Sequence, residues 1–455
     1  MSDAADVTLA GWGGWPRELC REYRPHDIAE IAATLNVRSS ANFIAAGMHR
    51  SYGDAALNAG GGVIRQRARA RVISFDETTG ELHAEAGMTI AQILSSFLPR
   101  GYMPGVMPGT KCVTLGGAIA ANVHGKNHHR DGAFSSIVSG FDLLTAAGTT
   151  LRCSRFENTE LFWATVGGMG LTGIVVSASI RLSRVDSAYV AVRTERTRDL
   201  DDTLERFSAD DARFRHSVAW LDCLAPRGRT GRAVMTRGDH ATSAHLPERL
   251  RARPYAVPNQ AAHALPMAVP RVLLRRPAFG LVNAMYYALR RSSVDRVVDI
   301  ERFFFPLDGV RNWNTALGAA GFIQYQLVLP LSASRQGLIE LLDAIATSGQ
   351  TPTLCVLKQL GPADAGLLSF PLAGMTLAVD LLNTGDALRR LVERIDSIVV
   401  KHRGRCYFAK DAMSSAEAAH AMYPGLGAFR ALKRTVDPER VFSSSLARRL
   451  QLLDD

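Results

Sequence analysis

The sequence predicts an α+β protein built as two units, and three observations carry that prediction. The chain has 455 residues, more than one hydrophobic core usually organises. Strand-like stretches alternate apolar and polar residues, and they are interspersed with amphipathic helical stretches without a regular βαβ rhythm. Near Arg184 the texture changes: glycine thins and arginine rises through "YVAVRTERTRDLDDTLERF". A boundary is placed there.

The elements follow in order. "DIAEIAATLN" reads as an opening helix and "NFIAAG" as a strand, followed by a glycine-rich segment from Gly47 to Gly62. "VISFDETTGELHAEAG" alternates around a Thr-Thr-Gly turn, the pattern of a hairpin. "TIAQILSSFLPRG" reads as a helix closed by a glycine cap. Later, "FIQYQLVLP" and "MTLAVDLL" are strands, while "RQGLIELLDAIATSG" and "ALRRLVERIDSIVVKHRG" are amphipathic helices. Between them, residues 251–291 mix prolines, arginines and apolar residues without a clean period, which predicts a long irregular excursion. Apolar residues flanked by arginine suit a flap or a loop that touches an anionic membrane.

Composition narrows the function. Hydrophobic residues make up 47% and charged residues 21%, ordinary for a globular chain. The excess of 53 Lys+Arg over 43 Asp+Glu gives +10, which suits an anionic partner. No finger or RNP signature accompanies it, so no nucleic acid is expected. The six cysteines are scattered without a C-x-x-C pair and read as buried free thiols. The N-terminus lacks a basic and then apolar leader, and no apolar run reaches the roughly 18 residues of a membrane span. Both point to a cytoplasmic position or a peripheral one at the inner membrane.

Three glycine-rich motifs bear on chemistry. "GMGLTG" at Gly168 to Gly173 matches G-x-G-x-x-G, but an alternating strand follows it where the dinucleotide fingerprint requires a helix. His124 and His128 stand four apart, yet Gly125 interrupts any helix that would aim both at a metal, and no third ligand is suitably spaced. No metal is expected. The backbone around Gly116, Gly117 and Gly125, with Lys126, suits close approach to a pyrophosphate, and "GMHRSYGDAALNAGGG" is a second such loop. Two donor-rich loops without a Rossmann pattern suggest a dinucleotide held by another fold.

"RSYGDAALNAGGG", "PGTKCVTLGGAIAANVHGKNHH", "ELFWATVGGMGLTGI", "IQYQLVLP", "YFAKDA" and "VDPERVFSSSLARRL" resemble, in that order, the vanillyl-alcohol-oxidase or PCMH-type FAD-linked oxidoreductases. The resemblance implies an FAD domain from residues 1–185, a substrate domain of antiparallel sheet and helices from 186–404, and a segment 405–455 that returns to the FAD domain. It implies that Gly47, Arg50, Ser51, Tyr52, Gly53 and Asp54 wrap the FAD pyrophosphate. Gly109, Thr114, Gly116, Gly117, His124, Gly125, Lys126, Asn127, Ile174 and Tyr407 would line the rest of the cofactor. Some relatives tether FAD through a histidine at the place of Arg50; His49 is one residue off and is expected to point elsewhere, so the FAD is expected to be non-covalent.

The resemblance further implies that Lys410 is the active-site lysine, either as base or as a charged anchor, with His124 facing the reacting centre. Gln324, Gln326 and Lys358 would contact the substrate; read alone, "QYQ" is an ordinary alternating strand and Lys410 a surface lysine at a strand end. The implied reaction is oxidation of the 2-hydroxyl of a polyprenylphosphoryl pentose, the first half of an epimerisation that supplies an arabinose donor. An NAD(P)H-dependent short-chain reductase would complete it, with peripheral membrane contact for the lipid substrate. Two departures concern the pocket: Ala378 stands where the resemblance places a cysteine, and Met375 where it places a tryptophan. The alternatives are an oxidase of a soluble sugar, alditol or aldonolactone, and a non-catalytic scaffold, which would not need Lys410, His124 and Gln326 together.

Overall fold

The computed structural model describes residues 4–36, 42–210, 213–257, 263–264, 269–270, 272–290 and 292–453. The first sheet joins β1 (Ala4–Ala10), β2 (Arg17–Tyr23), β3 (Phe43–Ala46) and β4 (Gly62–Arg65) in the order β1-β2-β4-β3. Both partners of β4 run parallel to it, and the helix Ile28–Asn36 makes the crossover. That helix closes a small core of Ile31, Leu35, Phe43, Ile64 and Phe442.

The second sheet comprises β5 (Val72–Asp76), β6 (Glu81–Glu85), β7 (Tyr102–Pro104), β8 (Val138–Leu144), β9 (Thr150–Ser154) and β10 (Ile174–Arg184). β5 and β6 form the expected antiparallel hairpin, with Asp76 opposite Glu81. The helix Ile90–Phe97 starts at Thr89, whose hydroxyl accepts from Gln92 N–H while the Gln92 side chain accepts from Thr89 N–H, a reciprocal capping box. Its terminal turn ends at Gly101, which adopts φ 80°. The "GMGLTG" segment is a turn with Met169 at φ 53° and Gly170 at φ 79°, lying between the helix Thr159–Thr165 and β10.

The third sheet is antiparallel and built from β11 (Tyr189–Thr197), β12 (His216–Leu221), β13 (Ala233–His240), β15 (Ser293–Asp299), β17 (Phe322–Pro330), β18 (Pro352–Leu360), β19 (Gly374–Leu382) and β20 (Arg405–Cys406). Its order is β15-β11-β13-β12-β18-β19-β17-β20. A short parallel pair, β14 (His263–Ala264) and β16 (Val310–Arg311), lies apart from it. The helices Leu331–Thr347 and Asp386–Lys401 cover one face, burying Leu338, Leu341, Leu391 and Ile395 against Leu327, Leu357 and Leu377. The opposite face looks toward the first two sheets.

Residues 251–291 correct one expectation. Residues 258–262, 265–268, 271 and 291 lie outside the described residues, but Arg276–Leu289 forms a helix of 14 residues beginning at Pro277 in its first turn. Apolar residues on both of its sides blur the 3.6-residue period that would have revealed it. Among the described residues no helix is long and apolar enough to cross a membrane. The cysteines are free thiols; five are buried and Cys112 is partly exposed.

Candidate active site

The polar residues of the third sheet owe their direction to strand alternation. In β17, Gln324 stands directly opposite Asp380 and Gln326 opposite Ala378; in β18, Val356 stands opposite Ala378 and Lys358 opposite Thr376. Direct cross-strand partners share a face. Tyr325, Leu327, Leu357, Leu377 and Val379, the alternate residues, fill the core behind. Gln324, Gln326, Val356, Lys358 and Ala378 therefore form one wall of a cleft of about 1540 Å³, its open mouth included.

The facing wall comes from the first two sheets. It contains Trp12, the loop Gly47, Met48, His49, Arg50, Ser51 and Tyr52, then Gly109, Thr114, Gly117 and His124. Gly47 is required by close approach, because a Cβ there would lie 2.3 Å from Thr114 Oγ1. Thr114 caps the short helix Leu115–Ala120 by accepting from Gly117 N–H. The returning segment adds Tyr407 and Lys410. Tyr407 donates its hydroxyl to Ala121 O at 2.7 Å and its N–H to Gln326 O at 2.8 Å, which ties both walls together.

Lys410 sits in a turn after β20, its N–H donating to Tyr407 O at 2.8 Å, and its ammonium lies 3.8 Å from the centre of the Tyr52 ring. Burial pushes the amine well below the ordinary lysine range, against the attraction of Asp380 and helped by the repulsion of Lys358. Burial lowers Lys358 to about 8. Gln324 donates to Asp380 Oδ1 at 2.5 Å, and burial raises Asp380 far above the usual carboxylate range. Gln326 donates to His124 Nε2 at 2.9 Å and to Thr376 Oγ1 at 3.1 Å. His124 packs 5.3 Å from Tyr407 and 5.5 Å from Phe370, and burial followed by the positive field of Lys358 holds it neutral.

The cleft fits a dinucleotide with a diphosphate. Among the described residues, Nε of Arg50, both ring nitrogens of His49 and Nδ1 of His124 are buried without a hydrogen-bond partner. The Arg50 guanidinium is stacked 3.8 Å from the Trp12 ring, which fixes its plane at the cleft wall. A Cβ on Gly109 would meet only open space, so backbone is presented bare. Such donors suit phosphate oxygens and the polar edge of a flavin. His49 adopts φ 47° in the loop at the cleft wall; burial lowers its ring to about 4, and the charges acting on it are those of Arg65 and Glu22, outside the cleft.

Of the residues expected around the cofactor, Gly53, Asp54, Gly116, Gly125, Lys126, Asn127 and Ile174 stand outside the cleft wall. Asp54 is held by Arg449 at 2.8 Å, and Gly53 packs where a Cβ would meet Asp411 O at 1.9 Å. Lys126 is buried against the Phe303 ring and donates to Phe303 O. Asn127 donates to Gly105 O at 2.8 Å, a Cβ on Gly116 or Gly125 would crowd Ala86 or Met107, and Ile174 is buried at the start of β10. They brace the loops whose neighbours face the cleft. His128 accepts from Gly361 N–H at 3.0 Å through Nδ1, and its ring stands at 86° to that of His124. Met375 is buried among the residues behind the sheet, whereas Ala378 lines the cleft. Trp12, Asp308 and Trp313 also line it and were not singled out from the sequence; only the density of tryptophan in "GWGGW" marks the first.

The family profile described as FAD binding domain matches residues 22–154, and that of D-arabinono-1,4-lactone oxidase matches residues 379–450. The chain is 38% identical over 451 residues to decaprenylphosphoryl-β-D-ribose oxidase of Mycolicibacterium smegmatis, covering 98% of this chain and 97% of that one. It is 35% identical to an uncharacterized protein of Streptomyces coelicolor, over 80% of this chain and all of the other. The human Δ(24)-sterol reductase is 28% identical over 31% of this chain and 27% of its own. With a glycine-lined, donor-rich cleft fitted to a dinucleotide and a match along nearly its whole length, the chain belongs to the decaprenylphosphoryl-β-D-ribose oxidase family of PCMH-type, FAD-dependent oxidoreductases.

Proposed function

We propose that the protein oxidises the 2-hydroxyl of a polyprenylphosphoryl pentose, decaprenylphosphoryl-β-D-ribose to its 2-keto form, as the first half of an epimerisation to the arabinose form. The observation that carries this reading is the buried Lys410 amine in the cleft, its proton affinity lowered into the working range of a base. The Mycolicibacterium relative is named for that substrate. Bound FAD supplies a hydride acceptor for the carbinol carbon. Gly47, Arg50, Ser51, Tyr52, Gly109, Thr114, Gly117 and Tyr407 would hold it. Lys410 takes the hydroxyl proton, and Asp380 steadies the resulting ammonium. Lys358 remains largely charged near neutrality and suits the phosphate, while Gln326 and His124 orient the sugar. Ala378 and Val356 keep that part of the cleft apolar.

The ketone released requires a reduction from the other face, assigned here to a separate NAD(P)H-dependent short-chain reductase. The D-arabinono-1,4-lactone oxidase match over residues 379–450 favours a second reading, oxidation of a soluble aldonolactone or alditol. Anaerobic bleaching of the flavin's visible absorbance separates them. A short-chain polyprenylphosphoryl ribose is expected to bleach it rapidly while free ribose, alditols and aldonolactones do not. Bleaching by the soluble sugars alone would transfer the protein to the second reading.

A further inference from the structure

The helix Arg276–Leu289 is apolar on both sides, and only one side is covered. Toward the protein, Asn283 donates to Asp222 Oδ1 at 3.0 Å, Tyr287 donates to Thr197 O at 3.0 Å, and the Tyr286 ring lies 4.6 Å from Trp220. Away from it, Leu281 is 71%, Met285 58% and Leu289 73% exposed, one line at a spacing of four residues. Single exposed apolar residues are ordinary, but a contiguous row of large ones marks an interaction surface.

Its position links this row to the cleft. Trp220 stands directly opposite Val356, and Val356 opposite Ala378, so the helix roofs the sheet face immediately beside the candidate active site. Charge selects the occupant. Residues 251–291 contain seven arginines and no aspartate or glutamate, the greater part of a net charge of +10. Arg275 and Arg290 flank the two ends of the exposed row. A second copy laid against it would set arginine against arginine, whereas an anionic lipid surface complements both the apolar row and its ends.

We infer that this helix lies along the headgroup–acyl boundary of an anionic bilayer, with Leu281, Met285 and Leu289 inserted, and admits the prenyl chain of the substrate past Trp220 into the cleft. The inference rests on the lipid-substrate reading for its purpose; its physics stands on the helix alone.

The test uses the full-length, FAD-loaded protein and vesicles of phosphatidylglycerol with phosphatidylcholine, beside vesicles of phosphatidylcholine only. Co-sedimentation with the anionic vesicles is expected, weakening as salt is raised. The triple variant L281S/M285S/L289S is expected to bind them about tenfold or more weakly, with its flavin content unchanged. Equal binding by the variant, no binding by the unaltered protein, or an altered oligomeric mass of the variant without lipid would overturn the inference. Should the variant fold poorly, Leu281→Trp in the otherwise intact chain gives a second readout: indole emission should shift to the blue with anionic vesicles, and unchanged emission counts against insertion. The vesicle assay needs no substrate. Failure of the substrate reading would appear separately, as absent bleaching by the short-chain lipid sugar.

Discussion

The side-chain amide of Gln326 donates to Nε2 of His124 at 2.9 Å, a contact between residues 202 positions apart that joins the substrate-side sheet to the glycine-rich wall. Because Nε2 accepts, the neutral imidazole carries its proton on Nδ1, which is buried without a partner among the described residues. An unpaired buried donor ordinarily costs about 1–3 kcal/mol, a cost that a ligand acceptor would remove. Gln326→Leu frees Nε2 and lets the ring change tautomer. Flavin reduction by substrate should slow about ten- to hundredfold while the flavin-to-protein ratio stays the same. An unchanged rate would remove this contact from substrate orientation.

Lys410→Ala should leave a yellow, FAD-loaded protein whose reduction by substrate falls by about two to four orders of magnitude. The pH dependence follows from the lowered pKa. The amine is protonated and unable to accept below its folded value of about 7, so the rate should rise with pH and level off above it. Stopped-flow reduction between pH 5 and pH 9 (roughly the span over which such a base changes state) measures both. A rate that falls across that span would instead require the charged lysine.

Ala378 is the small residue between Gln326 and Val356 on the cleft wall. Among the described residues no cysteine lines the cleft, so thiol-directed inhibitors should leave flavin reduction intact. Ala378→Cys should acquire one reactive thiol and become inactivated by the same reagents, with one adduct by mass spectrometry. Equal sensitivity of the unaltered protein would locate the reactive thiol elsewhere.

Arg449 forks to both carboxylate oxygens of Asp54 at 2.8 Å and reaches Asp411 Oδ2 at 2.8 Å. Burial pushes Asp411 up, but Arg449 and the amides of Ser414 and Met413 hold it below the usual carboxylate range. Arg449→Met would strand two buried carboxylates, costing about 3–5 kcal/mol. Urea unfolding should show this loss. The same variant should release FAD more readily, since Asp54 ends the loop carrying Arg50 and Tyr52.

Denaturation should free the flavin into the supernatant. His49 makes this a sharp test, because it adjoins Arg50 in the loop at the cleft wall and its ring is unprotonated. Flavin that remains with the denatured chain would identify a covalent bond, and peptide mapping would then be directed at His49.

How far the sequence could be read depended on distance along the chain. The helix that ends at Gly101, the hairpin β5–β6 and the alternation of Gln324, Tyr325 and Gln326 were all legible, since each is set by backbone geometry over a few residues. The motifs also marked both glycine-rich loops. Within those loops, spacing could not separate Arg50, which faces the cleft, from Asp54, which Arg449 draws into the scaffold. Nor could it show that Lys126 turns under Phe303. The helix Arg276–Leu289 stayed hidden because both of its sides are apolar.

The sequence by itself determined the α+β class through local periodicity, and the family and the cofactor through the resemblance of its ordered motifs to those of a known family. Only the tertiary structure decided which motif residues face the cleft, that Lys410 lies over Tyr52 near Asp380, and that Gln326 holds His124. Those relations join segments far apart in the chain, and the burial that shifts their proton affinities exists only after the sheets have packed together.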